Sequence, residues 1–249
     1  MNMLRLEFYK ARRKHYWLIV AAMSGMQALW LIWAFRRIDA RDLVQGYLES
    51  LYQFTMLNSI VLPVMTAVLV SRLCDIEHKG SALKVLFTMQ PSGTLFDAKF
   101  LCAGIHLAAA VGFQIAVILL MGHVKGFGSP TPTEDFVLYF GSQLLCSLFL
   151  ALFLQILALR HVNQFIPLAA GLITGFLGLM AMFFPAWVMR LVPSAYYGLL
   201  STVHMDWDRA AGIVTYYRAP FPVADCALLT TALVILYWFG RKSFVKREV

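Results

Sequence analysis

Six apolar runs of about 20 residues dominate the chain, at about 17–35, 52–71, 101–122, 136–159, 166–184 and 223–240. Each is long enough to cross a hydrocarbon core roughly 30 Å thick as a helix. In lipid no water satisfies backbone N–H and C=O groups, so a crossing segment must pair them internally, and a helix does so within one run. With 60% hydrophobic and 14% charged residues, and a mean hydropathy of +0.71, the chain cannot cover a water-facing surface; soluble domains carry about 25% charge. These features predict an all-α, polytopic membrane protein organised as a single transmembrane domain over residues 1–249, with almost nothing left for a separate globular unit.

Six crossings place both termini on one side. The segments 1–16, 72–100, 160–165 and 241–249 hold 14 of the 21 Lys and Arg residues in 60 positions, whereas 36–51, 123–135 and 185–222 hold 7 in 67. Cytoplasmic loops carry the excess of Lys and Arg, so the first group, with both termini, is expected in the cytoplasm. The Arg36-Arg37 pair after the first run weakens this asymmetry without reversing it.

The net charge of +8 does not indicate nucleic acid, because the basic clusters flank apolar runs: Arg5, Lys10, Arg12, Arg13 and Lys14 before the first, and Arg241, Lys242, Lys246 and Arg247 after the last. Lipid head groups are the expected neighbours of such residues. Cys74, Cys102, Cys146 and Cys226 form no C-x-x-C pair of the kind metal or redox sites use, and read as small apolar side chains. The first run is too long for the h-region of a signal peptide and no A-x-A site follows it, so it is expected to remain as the first helix.

No Asp, Glu, Lys or Arg lies well inside any predicted span; Asp225 sits at the edge of the last. Ion-coupled transporters usually retain an ionisable group at membrane depth. His106, Gln114, Gln143 and Gln155 are the strongly polar candidates at depth, and His106 reads first as a neutral, hydrogen-bonded histidine near the start of the third helix. There is no G-x-x-x-x-G-K-[ST], G-x-S-x-G or H-E-x-x-H, and no Ser or His is spaced as a nucleophile with its base. Energy for uphill movement is therefore expected from another chain.

Three segments exceed a bare bundle. Residues 3–15 set Leu4, Phe8 and Ala11 at helical spacing against Arg5, Lys10, Arg12 and Arg13; this is either an amphipathic interfacial helix or a basic topology anchor. The connection 72–100 is far longer than an antiparallel helix pair needs. Within it Leu83, Leu86, Phe87 and Met89 form a short apolar face, and Pro91 stops the helix before Ser92 or Thr94 restarts the chain. That face either docks into a groove on another protein or lies back on the bilayer. The stretch 185–222, with Trp187, Tyr196, Tyr197, Trp207, Tyr216, Tyr217 and Phe221 between prolines, reads as an aromatic belt or as short helices dipping into the outer leaflet.

The basic N-terminal helix with Glu7 and Lys10, the six spans, and the run Asp75-x-Glu77-x-x-x-Gly80-x-x-x-Lys84-x-Leu86-x-x-x-x-Pro91-Ser92 ending in Ala98-Lys99 resemble type-2 ABC transporter permeases. Among these the size and the Glu-to-Lys loop are most similar to lantibiotic-immunity and antibiotic-exporter permeases. The resemblance implies a permease without a nucleotide site, and no metal is expected from the cysteine spacing. Two such subunits, identical or homologous, pair with two separate ATPase subunits that bind ATP and Mg, in a bacterial cell membrane.

It implies a coupling helix over about Glu77 to Met89, with Glu77, Leu83, Lys84, Leu86, Phe87 and Met89 against the ATPase, and a second contact around Glu7 to Lys14 that includes Lys10. By the same analogy Asn58, Met65, Phe176 and Met180, on the second and fifth helices, would line the substrate pathway, and the outer segment would form re-entrant helices. The third cytoplasmic connection, Arg160 to Phe165, departs from the pattern by being very short. The expected activity is export of a hydrophobic or amphipathic substrate, such as a lantibiotic-type peptide. The competing readings are a stand-alone channel or scaffold, and an intramembrane lipid enzyme depending on His106 or His123.

Overall fold

The computed structural model describes residues 3–13, 15–37, 42–78, 92–128, 130–208 and 213–246. An amphipathic helix α1 (Met3–Arg13) leads into α2 (Tyr16–Ala34) through His15, whose left-handed φ of 54° breaks the helical path. Histidine is among the few side chains that tolerate this region. The long helices follow: α3 (Gly46–His78), α4 (Ser92–Lys125) and α5 (Thr133–Arg160), then the shorter α6 (Phe165–Ala181). Two single turns, α7 (Ala186–Met189) and α8 (Tyr196–Leu199), precede strands β1 (Val203–Asp208) and β2 (Ile213–Arg218), and α9 (Val223–Val245) follows.

Among the described residues five helices, α2, α3, α4, α5 and α9, are long and apolar enough to cross a membrane, and α6 is a 17-residue apolar helix. Four of the predicted runs lie inside these helices, while 17–35 overruns α2 by one residue and 166–184 overruns α6 by three; α3 and α4, of 33 and 34 residues, are about 50 Å long at 1.5 Å per residue. They outrun the hydrocarbon at both ends because Glu49, Arg72 and Asp97 can be solvated there without breaking the helix. α4 begins at Ser92, directly after Pro91, as the proline predicts. Glu134 and Asp135 in the first turn of α5, and Asp225 in that of α9, complement the positive ends of those helices.

α3 is the central element, packed by α2, α4, α5 and α6, and Phe54, Leu62, Met65, Leu69 and Leu73 along it are fully buried. α6 crosses it antiparallel through Gly171 and Gly175. A methyl group on Gly171 would overlap the Ala67 side chain and lie 3.0 Å from the Pro63 carbonyl oxygen, and one on Gly175 would lie 3.0 Å from that of Ile60. Small residues allow this approach where lipid supplies no hydrophobic drive between helices. Gly171→Leu is expected to force α6 off α3 and cost about 1–3 kcal/mol or more, read as a lowered unfolding temperature in detergent.

The termini of the elements segregate. At one end α1, the end of α3, the start of α4, the α5–α6 turn and the end of α9 meet, as the Glu7–Lys99 and Asp97–Arg241 ion pairs and the Arg160–Ser243 hydrogen bond show. This end carries the basic flanks. At the opposite end Phe127 packs on Phe35 and Tyr47, Arg190 pairs with Asp225, and Arg218 pairs with Asp135. The hydrogen bonds and charge of Asp225 push the Arg190 guanidinium above its ordinary range, so this cation persists at any physiological pH.

The stretch 185–222 corrects the purely helical expectation. Its first half does form short turns, with Tyr196 and Tyr197 buried in the bundle, but its second half is an antiparallel hairpin pairing His204 with Tyr217 and Asp206 with Thr215. An isolated two-stranded hairpin is marginal in water. This one is anchored by the Tyr216 N–H, which donates to Gln45 Oε1 at 2.8 Å, by Tyr216 against Tyr52, and by the Arg218–Asp135 pair at 2.7 Å. Trp187 and Trp207 remain exposed, as aromatic-belt residues would be.

Candidate functional site

The basic end is built around a buried charge. The apolar and acidic stripe of α1, Leu4, Glu7, Phe8 and Ala11, turns inward, while Arg5, Tyr9 and Arg12 face out. The amphipathic helix therefore covers α4 as well as any interface. Glu7 is 0% exposed and Lys99 1%. Lys99 Nζ donates to Glu7 Oε2 at 3.2 Å and to the Leu73 carbonyl at 2.6 Å, and Lys10 Nζ holds Glu7 Oε1 at 2.6 Å.

One ammonium thus bridges α1, α3 and α4. Beside it the Tyr16 hydroxyl donates to the Arg72 carbonyl at 2.7 Å, and Phe8 stacks on His106, whose Nδ1 pairs with the Cys102 carbonyl at 2.8 Å. His106 is therefore the hydrogen-bonded histidine anticipated at that position.

This junction flanks the connection expected to couple the chain to a partner. Of the residues assigned to that coupling, Glu7 and Lys10 belong to the junction. Glu77 lies in the last turns of α3, but its side chain is outside the described residues, as are Leu83, Lys84, Leu86, Phe87 and Met89. Lys99, the end of the quoted motif, is the residue that ties Glu7 into the bundle.

A second polar site lies deep among the long helices. Gln27 of α2, Asn58 of α3, Gln114 of α4, and Tyr139 and Gln143 of α5 form one hydrogen-bonded cluster, all buried. Gln27 Nε2 donates to Asn58 Oδ1 at 2.8 Å, Gln114 Nε2 to Gln27 Oε1 at 2.9 Å, and the Tyr139 hydroxyl to Gln114 Oε1 at 2.7 Å. Asn58 Nδ2 has Gln114 Oε1, Tyr139 Oη and Gln143 Oε1 within 3.1 Å, so three acceptors compete for two hydrogens. Gln143 Nε2 continues to the Tyr197 carbonyl at 3.2 Å, and Ser147 meets the Tyr197 hydroxyl at 2.9 Å.

Gln114 and Gln143 were legible as polar groups at depth. Gln27 and Asn58 belong with them, and Tyr139 and Tyr197 complete the set. A lone amide in an apolar run was the available signal for Gln27.

The four residues assigned to a pathway do not come together. Asn58 and Met65 are 0% exposed inside the bundle, whereas Phe176 and Met180 are 56% and 37% exposed on the face of α6 opposite its glycines. A roomy apolar groove lies elsewhere, between α2 and α4: about 290 Å³ bounded by Trp17, Val20, Ser24, His106, Ala109 and Phe113. The buried Ser24 hydroxyl there has no hydrogen-bond partner among the described residues.

The arrangement therefore offers a charged mechanical junction at one end, a saturated polar core, and an apolar groove open to the side, with no group of three potential metal ligands among the described residues. Compared with known proteins, residues 3–178 match the family model described as ABC-2 family transporter protein, which runs from α1 through most of α6. No curated protein matches the chain.

Proposed function

This chain belongs to the ABC-2 family of transporter proteins, and from that premise we propose that it is the membrane-spanning permease of an ATP-driven exporter whose energy comes from separate ATPase subunits. Family membership makes it a multi-pass membrane protein of transport, without an ATPase domain of its own. In the proposed assembly six helices, α2 to α6 and α9, cross a bacterial cell membrane with both termini cytoplasmic. Two permeases work with two ATPases that bind ATP and Mg. The exported substrate is hydrophobic or amphipathic, of the lantibiotic peptide class, and is drawn from the membrane.

The observation that carries this reading is the Lys99 junction. A segment pushed by a nucleotide-driven partner must deliver its motion to the bundle as a rigid-body shift. In sequence the connection 79–91 joins α3 to α4, which Lys99 clamps to each other and to α1 within hydrogen-bond distance. Motion of Leu83, Leu86, Phe87 and Met89 against the partner would move α1, α3 and α4 together. The α2–α4 groove, bounded by the same moving helix, is the apolar surface a membrane-partitioned substrate would meet; Trp17 and Phe113 line it and the Ser24 hydroxyl supplies its polar contact.

Co-purification of the chain with its ATPase tests the reading. Leu86→Asp with Phe87→Asp is expected to abolish association and to reduce substrate-stimulated ATP hydrolysis at least tenfold, with the permease still folded. Unchanged association would remove the coupling assignment. Conductance through the chain alone, without nucleotide, would replace the exporter with a channel.

A further inference from the structure

At the basic end, the last turns of α9 and the start of α4 border an open cavity of about 530 Å³, lined by Asp97, Tyr237, Trp238, Arg241, Lys242 and Lys246 with Val245. Three cations face one carboxylate, and that carboxylate is already engaged. Arg241 Nε donates to Asp97 Oδ1 and Oδ2 at 3.0 and 3.1 Å, and the Tyr237 hydroxyl donates to Oδ1 at 2.6 Å. The guanidinium packs on Gly93, where a methyl group would lie 2.7 Å from Nη2, so it is held between two elements rather than free to swing. Lys242 lies 4.6 Å over the Trp238 ring.

The cavity thus keeps a net positive charge on an orderly, partly fixed frame. Below it the same helix face is exposed and apolar through Val234, Ile235, Trp238 and Phe239. A site that is cationic at its head and apolar along its flank matches a ligand with both parts.

We propose that this cavity binds one anionic phospholipid, its phosphate between Arg241, Lys242 and Lys246 and an acyl chain along Ile235, Trp238 and Phe239. Clustered basic residues at the end of a crossing helix attract anionic head groups at about 1 kcal/mol each, and a volume of this size suits a small-ligand site. A free phosphate would use the cations but leave the apolar flank unused. The inference rests on α9 crossing the membrane with its basic end at the interface, and not on what is exported.

The test is lipid retention by the full chain reconstituted in phosphatidylcholine vesicles containing phosphatidylglycerol, with bound lipid read by native mass spectrometry. One phosphatidylglycerol is expected to survive mild delipidation on the wild type. Lys242→Gln with Lys246→Gln is expected to weaken it roughly thirtyfold, from two basic contributions, with an unchanged unfolding temperature. The charge-matched pair Arg36→Gln with Lys125→Gln at the opposite end is expected to retain it.

Equal retention by the Lys242/Lys246 variant, equal competition by phosphatidylcholine of the same chains, or displacement by soluble glycerol phosphate as effectively as by lipid would each overturn the proposal. Loss of ATPase association in that variant with lipid retention intact would assign the face to the protein partner instead. Failure of lipid retention leaves the effect of the Leu86 and Phe87 substitutions untouched, so the two readings fail separately.

Discussion

Glu7→Leu is expected to destabilise the protein by about 3–5 kcal/mol, the usual cost of removing one partner of a buried ion pair. Lys99 is 1% exposed, and the substitution leaves its ammonium beside the Leu73 carbonyl with the Glu7 charge gone. The reverse change, Lys99→Met, is expected to cost less, because Glu7 keeps Lys10 at 2.6 Å and Lys10 is 19% exposed, close enough to water to share the charge. Combining the two replaces the pair by apolar groups, and most of the loss is expected to return, since such replacement is often neutral.

A thermal-unfolding double-mutant cycle in detergent measures this directly. Glu7→Leu should also expose the α1–α2 junction to protease before the rest of the chain unfolds. A cost below about 0.5 kcal/mol for Glu7→Leu would show that the junction is an accessory contact and would take the lever out of the proposed mechanism.

The second large effect is expected at the polar core. Asn58→Leu nearly conserves volume but removes the hub of the cluster. Gln114 keeps its bonds with Gln27 and Tyr139, whereas Gln27 Nε2 loses its acceptor and Gln143 Oε1 its donor. Two orphaned buried groups at about 1–3 kcal/mol each, moderated by the smaller values near 0.6 kcal/mol found for hydrogen bonds between membrane helices, give an expected loss of about 2–3 kcal/mol. Asn58→Asp is expected to be worse at neutral pH, because it places a carboxylate among amides and hydroxyls with no cation in the cluster. If Asn58 instead lined a substrate pathway, Asn58→Leu would change export while leaving the unfolding temperature within error, and that result would reject the packing role argued from its burial.

The two sites differ in how far they could be read in advance. Glu7 and Lys10 stood out through the resemblance of the basic N-terminal helix to type-2 ABC transporter permeases. Their partner Lys99 lies 92 positions from Glu7, and nothing local connects them. Gln114 and Gln143 were visible as amides that apolar runs do not need, yet their meeting with Gln27 and Asn58 depends on how four helices rotate about their own axes. The pathway assignment separated for the same reason. Phe176 and Met180 share a helix with Gly171 and Gly175, and which face of α6 turned inward was settled by the close approach those glycines permit to α3. The hairpin was missed although Val203, Met205 and Trp207 alternate with His204, Asp206 and Asp208, because both strands are only six residues long and Ile213–Arg218 carries no such alternation.

The apolar runs and the uneven distribution of Lys and Arg determined by themselves that the chain is a bundle of membrane-crossing helices with a basic end. Transfer into lipid is a sum over the residues of one segment, and a sum of that kind needs no knowledge of neighbours. Only the tertiary structure decided which buried polar groups answer one another: Lys99 with Glu7 and Leu73, Asn58 with three glutamines, Arg241 with Asp97. A hydrogen bond requires an orientation as well as a composition, and orientation between distant segments exists only once the helices have packed.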